Sequence, residues 1–332
     1  MRRPSIVCTA AALLAVALAG CGSGAGSTTS TSPGSGSSAG AGSAAATVDV
    51  NVGVIPIVDV APIYLGQKQG FFAQQGLKLS LTTAQGGAAI VPGVVSGQFQ
   101  FGFSNVLSLM LAEQNSVPIK AISNGVASTG VAGQDFGAIV VKKGSAITSP
   151  KDLVGKKVAI NTLKNINEVA VRDSVQKAGG DPGKVTFVEL GFPAMPAALA
   201  KGQVDAALVV EPALATVKAQ GATVIASPYV DVAPKLTVAM YFTSTSYAQQ
   251  HPDVVKKFRT ALAESLAYAD SHPDDVRTVL GSYTKIPADT LKQITLPSWP
   301  ADVNQASLQT LGQLALSYGL LTKAPDLATL LP

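Results

Sequence analysis

Between residues 48 and 245 short strand-forming stretches alternate with stretches of helical periodicity, and no other feature of the chain limits its fold so tightly. VDVNVGVI (48–55) alternates apolar and polar side chains, as a half-buried strand does. IYLGQKQGFFAQQG (63–76) carries Ile63, Leu65, Phe71 and Phe72 on a helix, with breaks at Gly70 and Gly76. LKLSLTTA (77–84) follows as a strand and Ala88 to Ser96 as a helix. Phe99 to Phe103 is a strand, Asn105 to Gln114 a helix and Ile119 to Ser123 a strand. The pattern starts again at GAIVVKKG (137–144), with a short helix start at SPKDLVG (149–155). Strands are expected at KKVAI (156–160), VTFVEL (185–190) and Val204 to Val210, and helices at Asn167 to Ala178 and Ala194 to Lys201. TVIAS (223–227) and TVAMYFTST (237–245) complete the second set. This order predicts an α/β fold in two lobes, each a doubly wound, mostly parallel sheet. From residue 251 onward only helices are expected, with Val254, Val255, Phe258, Leu262 and Leu266 recurring every three or four positions.

One unit occurs in both halves. AAIVPGVVSGQFQFGFSN ends at Asn105, and MPAALAKGQVDAALVVEP ends at Pro212. In each, an apolar helix runs into Gly-Gln and then into a buried strand that stops on a polar side chain. Gly97 and Gly202 fall just past their helices, where a left-handed residue ends a helix without a Cβ clash. The strands then deliver their carboxyl ends to the edge at which open α/β sheets bind ligands. Two such edges facing each other make a cleft.

At 332 residues the chain exceeds one ordinary domain. Apolar residues at 47% and charged residues at 13% describe a folded, well-buried body. The net charge of +4 comes from lysines scattered along the chain, with no basic run that would track phosphates, so nucleic acid is not expected as a partner. Met1-Arg2-Arg3 and the apolar stretch Ile6 to Ala19 have the build of an export signal. Leu18-Ala19-Gly20-Cys21 resembles a bacterial lipobox, which implies cleavage before Cys21 and its lipidation; the alternative is an ordinary secretory signal. Residues 22–47 are nearly all Gly, Ser, Ala and Thr and read as a flexible tether between a signal peptide at 1–21 and a body that begins at Val48. Cys8 would leave with the signal, so the exported body would have no disulfide.

Several segments in order resemble one known family: APIYL (61–65), GFF (70–72) with Gly76-Leu77, SGQ (96–98), SPKDL (149–153) with GKKV (155–158), GQVDA (202–206), EP (211–212) and HP (251–252). They are similar to the solute-binding proteins of ABC transporters in the aliphatic sulfonate, nitrate, taurine and thiamine-precursor group. The resemblance runs over nearly all of 48–280. It implies a periplasmic-binding-protein fold of the second type, with crossovers placed near Phe136–Gly137 and within Ser227–Thr245. Lobe 1 would then hold residues 48–136 and 240–332, and lobe 2 residues 137–239. It also implies capture of a solute by hinge closure and delivery to a permease and its ATPase, with a lipid anchor on the outer face of the cytoplasmic membrane. A monomer without a cofactor or metal is expected.

Candidate ligand contacts follow from position. Asp59, in the loop after the first strand, either meets a ligand donor or caps the helix that begins near Pro62. Gly86-Gly87 opens a helix whose free N–H groups favour an anion, unless it is a plain strand-to-helix turn. Ser104 and Asn105 are N-cap types at a strand end and can serve both roles. In the polar loop NTLKNINE (161–168), Asn161 and Thr162 offer hydrogen bonds and Lys164 a charge, and the family's corresponding loops contact ligand. Glu211 precedes Pro212, which suits a first helical position; its carboxylate either accepts from a ligand amine or serves its own helix. Trp299 is expected to pack, as is Tyr64. The body's arginines, Arg172, Arg259 and Arg277, all fall in helices, so a guanidinium clamp on an anion is not evident. The family also contains a pyrimidine synthase that uses His and Cys. Here His251 and His272 both precede Pro-Asp at helix starts and the body has no Cys, so a binding protein is expected and an enzyme is not. A small polar sulfonate-, taurine- or nitrate-like solute is the expected ligand, with pyrimidines and aromatic carboxylates, or a sensory role, as alternatives.

Overall fold

A computed structural model describes residues 47–331; Cys21, the segment before it and residues 22–46 lie outside the described residues. The chain opens with β1 (Val48–Val54), α1 (Ala61–Gln69), α2 (Phe71–Gln74), β2 (Leu77–Thr83) and α3 (Gly87–Val95). It continues with β3 (Phe101–Asn105), α4 (Val106–Gln114) and β4 (Ile119–Ala127). The second set is β5 (Gly137–Val141), β6 (Lys157–Ile160), α5 (Ile166–Lys177), β7 (Thr186–Glu189), α6 (Met195–Ala200), β8 (Ala206–Val210), α7 (Ala213–Ala219), β9 (Thr223–Ala226) and α8 (Pro228–Val232). β10 (Thr237–Ser244) follows, then α9 (Thr245–Gln250), α10 (Pro252–Ser271), α11 (Pro273–Tyr283), α12 (Ala288–Leu291), α13 (Gln305–Ser317) and α14 (Leu327–Leu330). No helix among the described residues is long and apolar enough to cross a membrane.

The strands form two five-stranded sheets, in the orders β2-β1-β3-β10-β4 and β7-β6-β8-β5-β9. β1 is parallel to β2 and β3, and β6 to β7 and β8. β10 is antiparallel to both its neighbours, and so is β5. The two sheets therefore share one order, with a single reversed strand in the same place. In each, that strand is the one the chain enters on leaving the other sheet. The expectation of mostly parallel sheets holds for four strands of each five; the reversal at β5 and β10 comes from the crossovers, which strand composition does not reveal. β3, β5, β8 and β10 are buried along their whole length, which is why they read as unbroken apolar runs.

Gly97 and Gly202 take φ of 80° and 66°, as the repeated unit requires. Their N–H groups donate to Val94 and Leu199 carbonyls, closing α3 and α6 alike. Two boundaries differ from expectation. β3 begins at Phe101, because Phe99 donates its N–H to the Gly93 carbonyl and is spent on the helix turn. β4 runs on to Ala127, held by β10 through register shifts that no local pattern announces.

The C-terminal helices brace this frame. α10 lies over α1 and α2, with buried Phe258 stacked on Phe101 at 3.9 Å. Tyr283, at the end of α11, stacks on Tyr64 at 3.9 Å. α13 packs against α4 of the first sheet and α5 of the second, and Tyr318 donates to Gln176 Oε1 at 2.6 Å. Trp299 is buried and its indole N–H donates to the Asp59 carbonyl at 3.0 Å, so it packs as expected.

Candidate functional site

The two sheets turn their carboxyl ends toward one another, and what lies between them is built from the loops that follow those ends. β1 leads into Ile55, Ile57 and Asp59; β3 ends on Asn105; β6 leads into Asn161 and the start of α5; β7 leads to Phe192 and β8 ends at Val210. Together with Tyr229 of α8 and the first residues of β10 they enclose a cavity of about 20 Å³. That is room for about one water. An organic solute enters only if the walls separate.

α4 and α5 meet here N-terminus to N-terminus. Asn105 caps α4, its Oδ1 accepting from Ser108 N at 3.0 Å, and the same oxygen accepts from Ile166 N, the first residue of α5, at 3.4 Å. One amide oxygen thus gathers N–H groups from helices of opposite sheets. The positive ends of two macrodipoles converge on the cavity, an arrangement that favours negative charge. Around α5 the buried amides form a chain. Asn165 caps the helix through Asn167 N and Glu168 N, and donates to Asn161 Oδ1 at 2.7 Å and Thr162 Oγ1 at 2.9 Å. Asn167 donates to the same Asn161 Oδ1 at 2.8 Å and accepts from Tyr229 Oη at 2.6 Å.

Asp59 supplies the opposite sign. It is buried, lines the cavity, and its Oδ1 has no hydrogen-bond partner. Burial pushes its carboxyl up to about 7; its own backbone N–H works against this, and the nearby Asp135 adds to it. Tyr229, buried beside these acids, is held far above the usual phenol range by desolvation first and by Asp59 and Asp135 second. The arrangement suits a solute with a negative group facing the helix ends and a donor or cation facing Asp59.

Direct contacts already join the two rims. Gln85 Nε2 donates to the Asn161 carbonyl at 2.9 Å and reaches Glu189 Oε1 at 3.5 Å. Gly86 sits so close that a Cβ there would stand 2.8 Å from Thr162 Cγ2, and one on Gly87 would stand 1.9 Å from Ser104 Oγ. These two glycines let α3 seat on β3 and let the rims touch.

The candidate residues therefore separate into groups. Asp59, Asn105 and Asn161 line the cavity. Thr162, Gly86, Gly87 and Ser104 form the contact at its edge, with Ser104 Oγ donating to the Asn105 carbonyl at 3.1 Å. Lys164 points to solvent, its backbone at φ 52° and its N–H on Glu168 Oε2, so its charge is not part of the wall. Glu211 is committed elsewhere. Its Oε2 accepts from Ala215 N at 2.9 Å, its Oε1 from Thr295 N at 3.0 Å, and its carbonyl from Val58 N at 3.0 Å. Burial pushes its carboxyl up to about 7, with the Thr295 and Ala215 N–H groups pulling the other way. Glu211 ties the second sheet to the first and to the C-terminal segment. Pro212 correspondingly precedes α7 and does not open it. Sequence reasoning passed over Asn165, Asn167, Phe192 and Tyr229. Asn165 had a signal, an N-cap type before an apolar helix; Tyr229 had none, because only the pairing of the two sheets brings it there.

Two sheets of identical order, linked by two crossovers, with a cavity between their carboxyl ends that Asp59 and several asparagines line among apolar residues, define a two-lobed periplasmic-binding-protein fold. Residues 57–276 match the family described as NMT1/THI5 like, and the chain belongs to it. It is 28% identical over 214 residues to the taurine-binding periplasmic protein of Escherichia coli (strain K12), covering 64% of each. It is 23% identical over 226 residues to the formylaminopyrimidine-binding protein of Halalkalibacterium halodurans, covering 66% of this chain and 64% of that one. In both, the match takes in a little under two thirds of the relative's length. Other matched relatives, in Aspergillus parasiticus and Saccharomyces cerevisiae, are named as pyrimidine phosphate synthases. Among solved structures, the alkanesulfonate-binding protein SsuA from Xanthomonas axonopodis pv. citri bound to MOPS superimposes with a TM-score of 0.71 at 19% identity, covering 86% of this chain and 98% of that one. The fold is shared.

Proposed function

We propose that the chain is the extracytoplasmic solute-binding component of an ABC importer, and that it captures a small polar solute bearing both an anionic group and an amine. The observation that carries this reading is the single Asn105 oxygen gathering the N–H groups of α4 and α5, with Asp59, one carboxyl oxygen of which has no partner, in the wall of the same cavity. The anion, a sulfonate or a group like it, would take the helix ends; the amine would satisfy Asp59. The taurine-binding relative supports that class.

Capture follows from hinge motion. Because β10 pairs in the first sheet from Thr237 onward, the boundary expected between 239 and 240 is drawn before Thr237, and residues 48–136 with 237–332 would move as one body and 137–236 as the other. A ligand that touches both rims binds the closed form better and so populates it. A permease reads that closed form and its ATPase drives release. Export and lipidation at Cys21 would hold the monomeric body at the outer face of the cytoplasmic membrane, within reach of the permease. On this reading the solute is bound and released unchanged; His251 and His272 stand at the two ends of α10, exposed and outside the cavity wall, His251 tilted against Tyr247 and His272 stacked on Tyr268.

Calorimetric titration at neutral pH with taurine, ethanesulfonate, nitrate and a formylaminopyrimidine tests the reading. Taurine is expected to bind near micromolar, which needs only about −8 kcal/mol, and to be recovered unchanged. Binding confined to sugars or peptides, or conversion of the bound solute, overturns it. Uptake that survives deletion of the chain while a transcriptional response is lost would assign sensing in place of transport.

A further inference from the structure

Lysines that are scattered in the sequence are collected by the fold at one end of the second sheet. β5 ends at Val141, which lies opposite Ala206 and Thr223, the first residues of β8 and β9, so Lys142 and Lys143 leave the sheet at that end. Lys156 and Lys157 enter β6 at the same end, Lys157 lying opposite Thr186, the first residue of β7. Lys201 follows α6, and its neighbour Gly202 brings it to Lys142, whose Nζ is 3.3 Å from the point a Cβ on Gly202 would occupy. Lys143 approaches the corresponding point on Gly221 to 3.1 Å, beside Lys218 at the end of α7. All six are exposed, and none is ion-paired among the described residues. The acids near this end are fewer than the lysines: Asp181 pairs with Lys184 at 3.4 Å, Asp205 accepts from Lys157 N at 2.8 Å and Asp152 from Ser149 N at 3.0 Å. Between α6 and α7 a pit of about 190 Å³ opens, with Lys142 and Lys143 on its rim and Leu199, Ala200 and Val217 in its wall.

Lys201 and Lys218 have a local reason to stand where they do, because a cation suits a helix C-terminus. Lys142, Lys143, Lys156 and Lys157 flank strands, which carry little dipole, so no local field calls for them. Every cation of the cluster is Lys, a compact, strongly hydrated point charge on a flexible stem, and none is the Arg fork that would clamp one phosphate. The cluster spreads over the end of a sheet and does not line a groove that a strand of polymer would follow. From this we propose that the end of lobe 2 remote from the cleft is a docking surface for an anionic lipid membrane, with phosphate headgroups as the contacted chemistry. Docked this way, the cavity lies at the opposite end of the same strands and stays clear. The contact does not depend on what the cavity binds.

Hydrogen exchange of the full chain mixed with vesicles tests this, because protection at 141–157 and 199–222 is a readout that an acyl anchor elsewhere does not move. Exchange there is expected to slow several-fold on phosphatidylglycerol-containing vesicles and not on pure phosphatidylcholine. It is expected to recover at about 1 M salt, where the screening length is near 3 Å, and in the K142Q/K143Q/K156Q/K157Q variant, with thermal stability unchanged. Equal protection on both vesicles, or none on either, overturns the proposal. Protection by inorganic polyphosphate but not by anionic vesicles overturns it in favour of a soluble polyanion.

Discussion

Asp59 places a carboxyl in the cavity wall with one oxygen unsatisfied, and its titration becomes a measurable property of the whole body. Its ordinary value is 3.8 and its folded value is about 7, so between these the native state holds the proton and the unfolded chain does not. Stability present below pH 4 is therefore lost as pH rises through 7, at up to about 1.4 kcal/mol per pH unit. Glu211, displaced from 4.5 to about 7 by burial, acts in the same direction. Thermal melts from pH 4 to 8 should show D59N and E211Q falling less steeply than the parent. An ammonium beside Asp59 stabilises the charged form, so taurine affinity should rise from pH 5 to about 7 and then level off. D59N should weaken taurine by about 2 kcal/mol, roughly thirty-fold, and leave ethanesulfonate unaffected; equal loss for both solutes would remove the amine from the assignment.

Among the elements, α5 depends most on a single side chain. Asn165 caps it and holds Asn161 and Thr162 in place, so N165A should cost about 1 kcal/mol of stability and a larger share of ligand affinity, read by melting and calorimetry on one preparation. Much of the element order was legible, because β8 and the Gly202 turn satisfy rules a few residues long. The reversed strands were not legible, since Gly137–Val141 and Thr237–Ser244 look like any buried strand and take their direction from a distant crossover. The site divides in the same way. Asn105 announces itself as a cap at a strand end, whereas Tyr229 joins Asn167 across 62 positions. Glu211 misled for a physical reason: an acid before a helix suits a ligand amine and a Thr295 N–H equally, and only packing decides between them.

For the molecule as a whole, closure rests on how near the rims can come. Gly86 and Thr162 set that limit, since a Cβ at Gly86 would fall 2.8 Å from Thr162 Cγ2. G86V should hold the lobes apart, lowering taurine affinity while each lobe keeps its own fold. In small-angle scattering the parent should contract on adding taurine and G86V should not; contraction in both would mean that the rims do not gate capture. The exchange of strands between the sheets has a further consequence for how the chain is made. β10 must slide between β3 and β4, so the first sheet stays incomplete until residue 244 has emerged, when most of the chain has been synthesised. A nascent polypeptide of this design cannot lock its leading half early. It stays pliable, and assembles only once its tail arrives.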